Sequence, residues 1–166
     1  MKTSEQGFSL IELLIVVAII LVIAAIAIPN LLRSRMAANE ASAVSSIRAI
    51  NTAEVTYAQA WGIGYAVALA NLGGTTSCTA SSTTACLVDP ILSAGTKSGY
   101  LFAAAGNSPV GGILQGFEIN GTPVSVGLTG TRAFCSDQSG VIRFNTTGTA
   151  ITTGQGACSA ITTTLQ

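Results

Sequence analysis

Residues 7–29 read GFSLIELLIVVAIILVIAAIAIP, and the function of this stretch decides what the rest of the chain can be. A single acid, Glu12, stands near its start, and the 20 residues between it and Arg33 carry no charge. A helix of that length spans roughly 30 Å of hydrocarbon. Three roles compete for the segment. A secretory signal would use Lys2 as its basic region and Ala25-Ile26-Ala27 as its cleavage site, but the apolar core is long for that purpose and Glu12 precedes it. A plain membrane anchor accounts for the length and leaves Glu12 unexplained, because a carboxylate at membrane depth costs about 3 kcal/mol unless it reaches the interface. The third role uses the acid. If the chain is cut after Gly7, Phe8 gains a new α-amine, and Glu12 lies one helical turn away, where a carboxylate also suits the helix dipole. A neighbouring copy can then pair amine with carboxylate, so that charge unpaired in lipid drives docking and sets the axial register.

Composition narrows the alternatives. Of the 166 residues only 8% are charged, with 7 basic and 7 acidic side chains, and no basic cluster follows Arg33 and Arg35. That balance argues against nucleic acid as the main ligand. The chain has no histidine, the commonest general base and transition-metal ligand. The abundant serines and threonines therefore have no Ser-His-Asp partner. Four cysteines, Cys78, Cys86, Cys135 and Cys158, are widely spaced without a Cys-x-x-Cys motif, which favours disulfides over zinc and a non-cytosolic C-terminal part. They allow three pairings. Cys78–Cys86 would close the polar loop TTSCTASSTTAC, and Cys135–Cys158 would tie the last strand to the tail. By loop entropy these two bridges would contribute roughly 2.5 and 3.5 kcal/mol.

The glycine, phenylalanine, glutamate and proline of GFSLIELLIVVAIILVIAAIAIP fall at the spacing of the type IV prepilins and related pseudopilins, and the segment resembles their N-terminal signature. The resemblance implies cleavage by a prepilin peptidase between Gly7 and Phe8, N-methylation of Phe8, assembly through Glu12, and a helix kink at Pro29. Leu21 stands where many members carry a glycine, which tells against local melting of the helix before Pro29. The implied partners are other copies of the chain in a helical filament, the peptidase and the inner-membrane assembly machinery, and membrane lipid before assembly. No cofactor, metal, specific nucleic acid or small molecule is implied, and no enzymatic activity. The resemblance places the precursor in a bacterial inner membrane with its head outside the cytoplasm, and the assembled product in an extracellular pilus. The alternative is a periplasmic pseudopilus of type II secretion, whose major subunits often carry an acid-rich calcium loop near the C-terminus; the tail TTGTAITTGQGACSAITTTLQ has no acid. A secreted or singly anchored binding protein would leave Glu12 without a role.

The expected fold is α+β: a long N-terminal helix, transmembrane below and amphipathic above, packed on a small antiparallel sheet. The expected segments are a leader over 1–7, an assembly helix over 8–32, its amphipathic continuation over 33–61, and a disulfide-containing head over 62–166. Beyond Arg33 an apolar stripe at three- and four-residue spacing runs through Ala37, Ala41, Val44, Ile47, Ile50, Ala53, Tyr57 and Trp61, with Glu40 and Glu54 at its margin. No glycine or proline interrupts the helix between Pro29 and Gly62, which reads as its stop. Strand signals follow at 99–104, 115–119, TPVSVG, RAFCSD and GVIRFN. Asn120-Gly121 is the strongest hairpin signal and Gln138-Ser139 marks a second turn. Leu101, Phe117, Phe134, Ile142 and Phe144 are the candidate core. Asp89, Glu118 and Asp137 are isolated acids expected in solvent, and Asn120 and Asn145 each begin a glycosylation-type tripeptide.

Overall fold

The computed structural model describes residues 8–75, 77–153 and 156–165. One helix, α1 (Leu10–Trp61), runs through Pro29 and is followed by the single-turn helices α2 (Leu69–Leu72) and α3 (Pro90–Ser93). A five-stranded sheet completes the fold: β1 (Thr96–Lys97), β2 (Tyr100–Val110), β3 (Ile113–Pro123), β4 (Ala133–Asp137) and β5 (Arg143–Asn145). Every neighbouring pair is antiparallel and the spatial order is the chain order, so the sheet is a meander. The chain falls into two units, residues 1–35 and 36–166.

In the first unit α1 is exposed from Leu10 to Arg35 apart from a half-buried Ala24. In the second unit α1 lies against the sheet. Ala43, Ile47, Ile50, Ala53 and Tyr57 share a core with Tyr100, Phe102, Phe117, Ile119 and Phe134. Gly62, at φ +64, stops the helix in the left-handed conformation that glycine adopts without steric cost, and its N–H bonds the Ala58 carbonyl at 3.0 Å. The stripe begins differently from its sequence pattern. Ala37 and Ala41 face solvent, while Glu40, Ala43 and Ser46 face the head.

Strand phase corrects one core residue. Tyr100, Phe102 and Ala104 point inward, so Leu101, between two of them, points outward and is 48% exposed. Phe117, Phe134 and Ile142 are buried as their apolarity demands, and Phe144 packs half-buried against them. The hairpin is also elsewhere than expected. The reversal falls at Gly111-Gly112, where both residues have positive φ (+59 and +86), the requirement of a two-residue type I′ turn. Asn120 and Gly121 lie inside β3 instead. A Cβ on Gly121 would stand 3.1 Å from the Phe102 ring and 3.3 Å from Ile47, so this glycine permits close packing of helix on sheet. The Gln138-Ser139 turn does join β4 to β5, closed by Gly140 N–H donating to Asp137 O at 2.9 Å.

Every residue of β4 is buried because both its faces are covered. Phe134 faces the helix-side core, while Ala133 and Cys135 belong to a second cluster with Ile151 and Cys158 from the tail. A disulfide joins Cys135 to Cys158, and another joins Cys78 to Cys86.

Candidate functional site

At the N-terminal end, Ser9 O accepts the first helical bond, from Leu13 N–H at 3.2 Å. The Ser9 N–H in turn donates to Glu12 Oε2 at 2.9 Å. This is the backward-reaching element of a capping box, in which an acid at the third helical position satisfies an amide that the helix leaves unpaired. Phe8 is 85% exposed beside it. Gly7, the other residue of the expected cleavage junction, lies outside the described residues, as does the expected leader 1–7.

From Glu12 onward the segment offers an apolar surface on all sides. Its most apolar 18-residue window has a mean hydropathy of 3.3 and none of it is buried. It is long and apolar enough to cross a membrane. A surface of this size left to water is strongly unfavourable, so lipid or another apolar helix must cover it.

The acids of the head are not solvated as their isolation in sequence implies. Glu40 is clamped across to the loop before β4. Its Oε1 accepts from Thr131 N–H (2.8 Å), Thr131 Oγ1 (2.9 Å) and Arg132 N–H (3.2 Å). Its Oε2 takes Arg132 Nε and a terminal guanidinium nitrogen at 2.8 and 2.7 Å. The same guanidinium lies 5.5 and 5.2 Å from the Phe134 and Phe144 ring centroids. Burial alone would push the Glu40 carboxyl up, but these hydrogen bonds and the arginine outweigh it and hold the group below its ordinary value.

Glu54 is the opposite case. It is fully buried, accepts a hydrogen bond from Ala66 N–H at 2.9 Å, and its Oε1 has no hydrogen-bond partner among the described residues. Burial pushes its pKa up to about 7 despite that bond. Asp137 is buried too, and bonds from Ser139 together with the Arg143 guanidinium at 2.9 Å overcome burial to keep its carboxyl low. Glu118 stands directly across from it on β3 and is equally buried. Only Asp89 behaves as a surface acid: it caps α3 through Leu92 N–H (2.9 Å) and meets Lys97 Nζ at 3.0 Å. Among the described residues no group of three or more histidine, cysteine or acidic side chains forms a metal cage.

Both asparagines of the glycosylation-type tripeptides are committed internally. Asn120 Nδ2 donates to Ile151 O. Asn145 Nδ2 donates to Thr149 O at 2.9 Å, and its Oδ1 accepts from Gly148 N–H at 3.0 Å. Glu40 and Glu54 are what the sequence pattern undervalued. Their spacing from Ile47, seven residues on either side, put both on the buried face.

Comparison with known proteins gives partial matches. Residues 2–28 match the family model described as the prokaryotic N-terminal methylation motif. The chain is 44% identical over 53 residues to the type IV major pilin protein PilA of Myxococcus xanthus, which covers 32% of this chain and 24% of that protein. It is 60% identical over 37 residues to the type IV wide pilus major component PilA4 of Thermus thermophilus, covering 22% of this chain and 28% of that one. The matched region thus spans only about a quarter of the length of these relatives. No solved structure matches the chain significantly. Over residues 2–28 the chain thus carries the prokaryotic N-terminal methylation motif, and over part of its length it is similar to type IV pilins.

Proposed function

We propose that the chain is a structural subunit of a type IV pilus-like surface filament, made as a single-pass membrane precursor, cut after Gly7 and methylated at Phe8. The observation that carries this is one acid at the mouth of a segment uncharged from residue 13 to residue 32, whose most apolar 18-residue window is nowhere buried by the described residues. In the membrane lipid covers that surface. In the filament other copies of α1 do, and the Glu12 of one copy meets the Phe8 amine of the next. Glu12 Oε2 already accepts the Ser9 amide, which leaves Oε1 to receive a neighbour's charge. The lower helix would form the filament core, Pro29 would bend it, and the disulfide-stapled head would form the outer surface. Such a subunit performs no catalysis, and its partners are other copies together with the peptidase and the assembly machinery of the inner membrane.

Two experiments test this. The first is mass spectrometry of the N-terminal peptide of protein sheared from cells, with methylated Phe8 as the expected first residue. Methylated Phe8 confined to the membrane fraction would favour a periplasmic pseudopilus instead, and a chain beginning at Met1 or Ile28 would overturn the assembly role. The second compares Glu12→Ala with Glu12→Gln. The glutamine keeps an acceptor for the Ser9 amide and removes only the charge. Both variants should be processed and inserted normally and both should lose filament yield. Normal filaments from Glu12→Gln would exclude charge pairing.

A further inference from the structure

The two disulfides occupy opposite environments. Cys135 and Cys158 are 1% and 0% exposed, inside the cluster that the tail forms over β4. Cys86 is exposed and Cys78 half-buried. Beside them lies an open hollow of about 440 Å³, lined by Gly74, Thr75, Leu87, Asp89 and Pro90. Thiol–disulfide exchange requires a thiolate to reach a sulfur, so access sorts disulfides into inert and reactive ones. We propose that Cys78–Cys86 is a thiol-exchange site of the folded head, open to low-mass thiols at Cys86 Sγ, while Cys135–Cys158 stays closed.

The loop that the bridge spans does not depend on it for its position. Tyr57 OH donates to Ser82 O at 2.6 Å from the helix, and Ser81 and Thr84 bond each other's backbone at 3.0 and 3.1 Å. Beyond the loop tip, Ala85 N–H donates to Asn71 O (2.8 Å), Cys86 N–H to Gly73 O (3.0 Å) and Leu87 N–H to Leu72 O (2.8 Å). Opening the bridge therefore leaves both flanks anchored, and the reduced head stays folded. The backbone at Cys86 favours opening. Its φ of +58 is one that a residue with a Cβ rarely adopts, and the bridge is one of the constraints that hold it there.

In the exchange an external thiolate attacks Cys86 Sγ. The sulfur–sulfur bond breaks with its electron pair going to Cys78 Sγ, which takes a proton from water. The product is a mixed disulfide on Cys86 and a free thiol on Cys78. A second external thiol then attacks the mixed disulfide, releases the low-mass disulfide and leaves both cysteines reduced. Two electrons pass from two thiols to one protein disulfide.

The test treats the full mature chain in mild detergent with glutathione, blocks free thiols with N-ethylmaleimide at intervals, and locates the adducts by peptide mass spectrometry. The expected result is glutathione on Cys86, maleimide on Cys78 and an intact Cys135–Cys158 bridge, with the first bridge opening about tenfold faster or more. Equal rates, earlier opening of Cys135–Cys158, or glutathione on Cys78 would overturn the proposal. Tyr57→Phe frees the loop from the helix without touching either cysteine, and its rate should match that of the parent. A clear acceleration would mean that attack needs the loop to detach, and the folded head would not be the reactant. The result is independent of whether the chain forms a pilus.

Discussion

Among the described residues Glu54 meets no partner charge and has one bare oxygen, while its other oxygen takes the Ala66 amide where α1 packs on the segment around that residue. Its pKa of about 7 in the folded chain lies above the ordinary value of 4.5. The folded state therefore holds a proton that the unfolded chain has already released between these two pH values, and stability falls as pH rises through that window. The contribution is fully present below about pH 4.5 and gone above about pH 7, with a total change on the order of 3 kcal/mol. Glu54→Gln imitates the protonated acid, keeping an acceptor for the Ala66 amide. It should flatten this part of the pH profile and stabilise the chain at pH 8. Urea unfolding of the full chain in mild detergent, followed by the fluorescence of Trp61, the one tryptophan, would measure it at pH 5 and pH 8. An unchanged slope in the variant would mean that Glu54 is ionised in the folded chain.

The elements are joined by contacts of opposite sign and different legibility. The Glu40 clamp fixes the upper part of α1 to the loop that leads into β4, and here the carboxyl is held low. Its stabilisation is present above the ordinary value of 4.5 and lost as pH falls through the lower folded value, the reverse of Glu54. Glu40→Ala should cost about 2 kcal/mol at neutral pH, below the usual 3–5 for a broken buried pair, because Arg132 keeps partial access to water. Glu40, Ile47 and Glu54 recur every seven residues, so the helical period places both acids beside Ile47 on the inward face, although the run of apolar residues sets them only at the margin of the stripe. The hairpin was hidden for another reason. Gly111-Gly112 and Asn120-Gly121 are both turn signals, and local turn chemistry ranks Asn-Gly first. The choice is made by the core, where a side chain at residue 121 would crowd Phe102 and Ile47. Gly121→Ala should accordingly cost about 1–3 kcal/mol by overpacking. Replacing Gly111-Gly112 by Asn-Gly should be close to neutral, since that pair also suits a type I′ turn. Denaturant midpoints of the two variants would decide between the turn positions, and the reverse order would return the hairpin to Asn120-Gly121. The helix, its stop at Gly62 and the general run of strands were legible from period and punctuation. The covering of β4 by the tail was not, because that tail is mostly small polar residues without periodicity and its anchor is a cysteine pairing that sequence leaves open.

For the molecule as a whole, the decisive fact is where the core gets its residues. The helix-side cluster begins at Ala43, the second cluster at Ala133, the Glu40 clamp lies just before the first, and both disulfides fall beyond residue 77. None of residues 8–35, among the described residues, belongs to any of them. One chain thus carries two solutions to the hydrophobic effect: a head that buries its apolar groups against itself, and a helix segment that must borrow a covering from lipid or from other copies. A fragment of residues 36–166 should therefore fold with both disulfides, remain monomeric in detergent-free buffer, and show no affinity for lipid vesicles. Its urea stability should lie within about 1 kcal/mol of the full chain in detergent, since both clusters of the head draw on residues from Ala43 onward; the main loss is fraying of the newly cut helix end. The intact mature chain should require detergent or vesicles to stay dispersed. Size-exclusion chromatography, vesicle flotation and disulfide mapping of the fragment would check each point. Aggregation of the fragment, or a stability several kcal/mol below that of the full chain, would show that the first 35 residues support the head as well as anchor it.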